Sequence, residues 1–107
     1  MTEFKNLIVE RNGAADFKFE GELVAFSSQL DDFGMGEILS LYRTKAGAFV
    51  TERTRWFLRD NERCLESDAI TTTDQAELHE FFGYEPHAKK LYELAVPHID
   101  VPYENLA

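Results

Sequence analysis

Three histidines, one cysteine, a trio of loop carboxylates and a stripe of arginines are the side chains here that could do chemistry. His79, His87 and His98 all fall in the C-terminal third. A zinc site needs three or four converging ligands, and a helical pair at i, i+4 is the economical arrangement. His79 and His87 stand eight apart with a helix break between them. Surface or boundary histidines are therefore expected, and no metal. Cys64 has Arg63 beside it and Arg59 nearby, and cations lower a thiol pKa. Glu62 and Glu66 oppose that effect and no partner base is identifiable, so the thiol reads as a packing residue. Asp31, Asp32 and Glu37 border a loop containing Gly34 and Gly36. A calcium loop would alternate acidic ligands over about a dozen residues. A phosphate loop needs a longer glycine pattern running into a helix. Neither is present, and a solvated hairpin turn is the simpler account.

The arginines carry the strongest signal. Arg53, Arg55 and Arg59 share one strand parity with Phe57, and Arg43 and Lys45 lie across a proposed turn. Arginines interleaved with an aromatic can clamp phosphate or stack on bases. Glu20, Glu22 and Glu37 on neighbouring strands offer a structural alternative, cross-strand ion pairs. When exposed, such pairs are worth only about 0–1 kcal/mol. Trp56, Phe57 and Tyr42 are a large aromatic load for one small core, and aromatics with arginine are enriched at protein interfaces. The candidate partner-binding set is Arg43, Arg53, Arg55, Trp56, Phe57 and Arg59. No catalytic set converges, so no catalytic residue and no cofactor are expected.

Charge bounds the partner. The chain has 107 residues and a formal net charge of −9. Residues 1–42 carry eight acids and three bases, 43–63 six bases and three acids, and 64–107 nine acids and two bases. A basic middle thus sits between acidic flanks. The overall acidity repels phosphates at long range, which argues against direct nucleic-acid binding. One cysteine permits no intrachain disulfide, and a small secreted domain more often shows several. No apolar run approaches the ~20 residues that span a bilayer. Met1–Glu10 is too short and charged for a secretory signal. A cytoplasmic protein without membrane contact is expected.

The elements that must position these residues follow from periodicity. An apolar share of 44% with nine phenylalanines supplies one dense core. Leu7–Val9 is a short β-prone run, and Arg11-Asn12-Gly13 is a turn signal. In Asp16–Ser27, Phe17, Phe19, Leu23 and Ala25 share one parity while Lys18, Glu20 and Glu22 share the other. Strand side chains alternate between faces, so this pattern sets an apolar face against a charged one. Gly21 inside the run marks a bulge or a close backbone approach. Ser28–Gly36 reads as a loop, Glu37–Thr44 as the third strand, Thr44–Gly47 as a tight turn and Ala48–Arg59 as the fourth strand. Both faces of that fourth strand mix polar and apolar residues, which a parity-flipping bulge would resolve. Asp60–Thr71 reads as a loop with extended pieces near Cys64-Leu65 and Ala69-Ile70.

The period then changes from two to 3.6. Thr72, Thr73 or Asp74 can cap a helix, with Gln75 or Glu77 at the capping-box spacing. Leu78, Phe81 and Phe82 form its apolar stripe and Gly83 ends it. Pro86 suits the first turn of a second helix whose buried face is Ala88, Leu91, Tyr92 and Ala95. The expected fold is a single α+β domain over residues 1–107. It is a four-stranded antiparallel β-meander over about 6–59, two short helices over about 73–96 packed on one face, and a tail from 97.

Phe19-Glu20-Gly21-Glu22-Leu23-Val24-Ala25, then Glu37-Ile38-Leu39-Ser40-Leu41-Tyr42-Arg43-Thr44 and Gly47-Ala48-Phe49-Val50, resemble a set of small uncharacterised bacterial proteins, often of mobile elements. Phe81-Phe82-Gly83 and Ala88-Lys89-Lys90-Leu91-Tyr92 are similar to the end of such proteins. The resemblance implies a bacterial, cytosolic protein. It implies no activity and transfers no functional residue.

The leading expectation is a non-enzymatic protein-interaction or regulatory module that binds a protein partner or forms a homodimer. One alternative is an acidic nucleic-acid mimic that occupies the basic groove of a DNA- or RNA-handling protein. Another is a small-ligand binder or enzyme that uses a cleft between sheet and helices.

Overall fold

A computed structural model of the chain describes residues 4–102. The expected tail beyond 102 and the first three residues lie outside the described residues. The order is β1 (Lys5–Val9), β2 (Phe17–Leu30), β3 (Gly36–Thr44), β4 (Phe49–Arg59), β5 (Glu62–Thr72), α1 (Gln75–Phe82) and α2 (Pro86–Ala95). The fold is α+β, an antiparallel sheet in the order β1-β2-β3-β4-β5 followed by two C-terminal helices.

The sheet has five strands where four are expected. The segment read as the loop Asp60–Thr71 is a full partner of β4, in register from Phe49↔Thr72 to Arg59↔Glu62. Asp60 and Asn61 supply a two-residue turn, with φ of 53° and 63°. Positive φ at both central positions is the type I′ hairpin signature, whose twist matches that of the flanking strands. The usual Asn-Gly or Asp-Gly pair is absent, which hides the turn. Charged residues at alternate positions also mask β5, because most of it lies at an exposed edge.

The expected parity bulge exists, but on β2 rather than β4. β4 pairs without a shift on both sides. On β2 the register slips between Leu23 and Ala25. The extra residue reverses which face each parity meets. Phe17, Phe19 and Leu23 therefore lie on one face and Ala25 and Ser27 on the other, contrary to the single apolar face expected of Phe17–Ala25. Gly21 is instead a point of close approach. A Cβ there would stand 2.5 Å from the Arg43 carbonyl oxygen and 2.8 Å from the Phe19 ring.

The bulge gives the sheet two apolar faces. On the helix face, Ala25, Leu39, Leu41 and Phe49 pack against Leu78, Phe82, Ala88, Leu91, Tyr92, Ala95 and Ile99. The opposite face is concave and encloses Val9, Val50 and Ala69, flanked by Phe17, Phe19 and Tyr42. Val9 on β1 reaches residues of β4 and β5 only because the sheet curls. A latch holds the curl: the Asn12 amide donates to the Ser67 carbonyl at 2.8 Å, and the Ser67 amide donates to Asn12 Oδ1. Curling explains the mixed pattern of β4, which has a partly buried surface on both sides.

Both helices begin and end as the residues direct. Asp74 caps α1, its side chain accepting from the Ala76 amide at 2.9 Å. Pro86 opens α2 at its first turn. The predicted face of α2, Ala88, Leu91, Tyr92 and Ala95, is fully buried. Enclosing Leu91 and Tyr92 contributes about 1.5–3 kcal/mol each. Among the described residues no helix is long and apolar enough to cross a membrane.

Candidate functional site

Two surfaces of this fold hold functional potential: an ionic cluster where the helices meet the sheet, and an uncovered end of the concave face. The cluster centres on Glu37 of β3, whose register places it opposite Arg55 of β4 and Gln29 of β2 on the helix face. Glu37 Oε1 lies 2.6 Å from His87 Nε2 and 3.5 Å from Arg53 Nε, and Oε2 lies 3.9 Å from Arg55 Nε. His87 belongs to the first turn of α2, so the carboxylate ties that helix to the sheet. Arg53 does the same for α1: its Nη2 donates to the Phe82 carbonyl at 2.9 Å, and its guanidinium stands over the Phe81 ring. A cation at a helix C-terminus also meets the negative end of the helix dipole. Tyr92 of α2 completes the junction. Its hydroxyl donates to the Gly83 carbonyl at 2.6 Å, satisfying another carbonyl past the end of α1.

A groove of about 590 Å³ adjoins the cluster, lined among others by Gln29, Met35, Arg55, Phe57, Glu85 and His87. Two guanidinium groups and the His87 imidazole converge on the two Glu37 oxygens. Chemically, the arrangement is a structural tie with one imidazole edge at a groove.

The sequence-predicted residues separate. Arg53, Arg55, Phe57 and Arg59 do share the helix face of β4, and Arg59 stands over the Phe57 ring at 5.3 Å. Arg43 lies on that face too but near the other end of β3, opposite Glu22 and Phe49. Trp56 points to the concave face. Of the acids proposed as ion-pair partners, Glu37 meets two of the arginines, and Glu20 pairs with Lys45 at 3.4 Å.

The remaining chemical candidates disperse. His79 packs edge-on against Tyr92, His87 meets Glu37 and His98 is exposed beyond α2. Among the described residues no group of three His, Cys, Asp or Glu could hold a metal ion. Asp31 is engaged in its turn, accepting from the Phe33 and Met35 amides at 2.8 and 3.0 Å. Cys64 is free and half-buried, with its sulfur 3.7 Å from the Glu62 carbonyl oxygen.

The concave face carries two further titratable groups. Tyr42 donates to Glu52 Oε1 at 3.2 Å. Burial, with Glu52 beside it, pushes the Tyr42 hydroxyl up to about 12. Burial also raises the Glu52 carboxyl. Beyond this pair the face opens. Leu30, Gly36, Trp56 and Leu65 form one ladder row across β2, β3, β4 and β5. Gly36 leaves room beside Trp56, and a Cβ at Gly36 would run into the Gln29 carbonyl oxygen. Leu58 lies diagonal to Leu65, and Phe33 stands at the tip of the β2–β3 turn. Arg63 borders this end, its Nη2 donating to the Gly34 carbonyl at 3.3 Å. Sequence pattern alone does not show this row, because it needs β5, whose charged residues give the pattern of a loop. The extended pieces at Cys64-Leu65 and Ala69-Ile70 were the available signal.

No family model, no curated protein and no solved structure matches this chain. Function must therefore be read from geometry and chemistry.

Proposed function

We propose that the protein is a protein-interaction module whose docking surface is the uncovered end of the concave sheet face. The observation that carries this reading is the row Leu30, Trp56 and Leu65 with Leu58 and Phe33 beside it. β1 is five residues long and roofs only the other end. Leu30, Leu58, Leu65 and Phe33 remain 43%, 61%, 55% and 84% exposed. A large side chain carries about 150–250 Å² of surface, so their exposed parts total on the order of 400 Å². Contiguous apolar patches above a few hundred Å² mark interaction sites on soluble proteins. At ~25 cal/mol per Å², covering this one is worth about 10 kcal/mol before the cost of association. The row is favoured over the arginine-aromatic set, since Arg53 is held between Glu37 and the Phe82 carbonyl and only Trp56 of that set reaches the row.

The test is affinity capture with three baits: the parent chain, Leu65→Glu and Lys89→Glu. Lys89 is exposed on α2, away from the patch. A stoichiometric partner protein, distinct from the chain itself, retained by the parent and Lys89→Glu but lost by Leu65→Glu is the expected result. Equal retention by Leu65→Glu, or no stoichiometric partner at all, refutes the reading.

A further inference from the structure

We infer that the free edge of β2 pairs antiparallel with the same edge of a second copy, joining two sheets into one across a twofold axis. The inference concerns a second surface and goes beyond the docking reading above.

β1 pairs with β2 only along Phe17–Gly21. Among the described residues, β2 from Glu22 to Leu30 is bonded on one side alone, to β3. Along such an edge alternate residues aim their N–H and C=O outward. Among the described residues no backbone or side-chain hydrogen bond outside the sheet reaches the backbone of this stretch. Natural edges are usually blunted by charge, proline or brevity. Leu23-Val24-Ala25-Phe26-Ser27-Ser28-Gln29-Leu30 is eight residues without a charge, a proline or a glycine, and beyond the slip at Val24 it is a regular strand.

The other edge shows what blunting looks like here. β5 carries Glu62, Arg63, Glu66 and Asp68, and the Asn12 latch occupies its middle at Ser67. The contrast makes the β2 edge the one suited to pairing.

Side chains beside the edge suit an incoming strand. Phe26 is 56% exposed on the concave side, and Leu94 of α2 is 55% exposed on the helix side. With Leu23, Val24 and Ala25 they line a shallow cleft of about 290 Å³. An apolar side chain entering beside β2 has a place to go.

A second copy is the occupant because its own edge meets both requirements. It must be extended and unpaired, and it must not bring like charges together between two bodies of net charge −9. A twofold axis at Phe26 sets Val24 opposite Ser28, Leu23 opposite Gln29 and Glu22 opposite Leu30. No like charges face each other, and the two Phe26 rings lie side by side on one face. Such aromatic cross-strand pairs stabilise antiparallel ladders. The same axis brings the two open rows, each ending at Leu30, onto one continuous concave surface. Strand addition at an edge is an established mode of protein recognition.

The experiment combines sedimentation equilibrium with amide hydrogen exchange on the parent, Phe26→Lys, Ser28→Lys and Leu65→Glu, over about 5 to 500 µM chain. Phe26 and Ser28 are exposed, and far-UV circular dichroism with Trp56 fluorescence verifies that each variant is folded. The parent is expected to dimerise, with exchange across Val24–Leu30 slowing as concentration rises. Phe26→Lys is expected to weaken the dimer by about tenfold or more, because it sets two like charges directly opposite each other at the axis, and Ser28→Lys to weaken it less, because its lysine faces Val24 of the second copy. Leu65→Glu is expected to leave it intact. A parent that stays monomeric at the highest concentration overturns the inference. So does a dimer whose Val24–Leu30 exchange is independent of concentration, which would place another segment of the chain on this edge. A dimer lost in Leu65→Glu but kept in Phe26→Lys also overturns it, while leaving the concave-face reading standing.

Discussion

Glu37 holds both helices to the sheet, and removing its charge tests that claim directly. Glu37→Gln keeps the volume and one oxygen acceptor but deletes the carboxylate. The 2.6 Å contact to His87 is the largest loss, since a hydrogen bond to a charged group contributes about 1.5–3 kcal/mol. The glutamine oxygen recovers part of it. Arg55 is 3.9 Å away with its side chain 55% exposed, so its share is at most about 0.5 kcal/mol. Arg53 is more enclosed and loses the carboxylate 3.5 Å from its Nε, adding about 1 kcal/mol. The net expectation is a destabilisation of about 2–3 kcal/mol. For a domain of this size that lowers Tm by roughly 8–20 °C. Urea unfolding followed through Trp56 fluorescence reads it, with Glu85→Gln as a control: Glu85 is exposed on the same groove and should shift stability by less than about 0.5 kcal/mol. A double-mutant cycle with His87→Gln should return a coupling of about 1–2 kcal/mol. A Glu37→Gln variant as stable as the parent, or zero coupling to His87, would show that the cluster does not fasten the helices.

Two other perturbations follow from the same packing. Tyr92→Phe deletes the hydroxyl that satisfies the Gly83 carbonyl. It should cost about 1–2 kcal/mol in a thermal melt, and an unchanged melt would count against the role of Tyr92 in capping α1. Burial also lifts the Tyr92 hydroxyl above the usual tyrosine range, so its phenolate should form only as the protein unfolds in alkali. Glu52 sets a pH dependence. Its folded-state carboxyl is raised, so between the ordinary carboxylate pKa and the raised value the native chain holds more protons than the unfolded one. Its contribution to stability therefore falls as pH rises through that window. Glu52→Gln keeps an acceptor for Tyr42 and should be more stable than the parent at about pH 7, with the advantage gone below about pH 4. Urea midpoints at the two pH values check this, and a Glu52→Gln variant less stable at neutral pH would contradict it.

Much of the fold is legible locally. Alternation locates β2, β-prone runs between turn signals locate β1, β3 and β4, and the shift to period 3.6 locates both helices. The buried face of α2 is readable from spacing alone, because one apolar stripe must meet the sheet. The Thr44–Gly47 turn occurs as expected, with the Gly47 amide donating to the Thr44 carbonyl at 3.0 Å, whereas the loop expected over Ser28–Gly36 shortens to Asp31–Met35 because Ser28–Leu30 and Gly36 pair as strand residues. The candidate site is less legible. The pairing of Glu37 with Arg53 and Arg55 is visible as a cross-strand possibility, but His87 is fifty residues away in sequence and joins only when α2 docks.

Alternation, capping residues and charge distribution are properties of neighbours along the chain, and they alone determine an α+β protein with an acidic surface and two amphipathic C-terminal helices. Three decisions belong to tertiary structure. The slip at Val24 sends Ala25 to the helices and Phe19 to a second core. The positive-φ turn at Asp60-Asn61 makes a strand of a charged segment. The curl latched by Asn12 closes one end of the concave face and leaves Leu30, Trp56 and Leu65 open at the other. Each depends on register or closure between distant strands, and no pattern within a single segment encodes which face a strand will turn toward its partner.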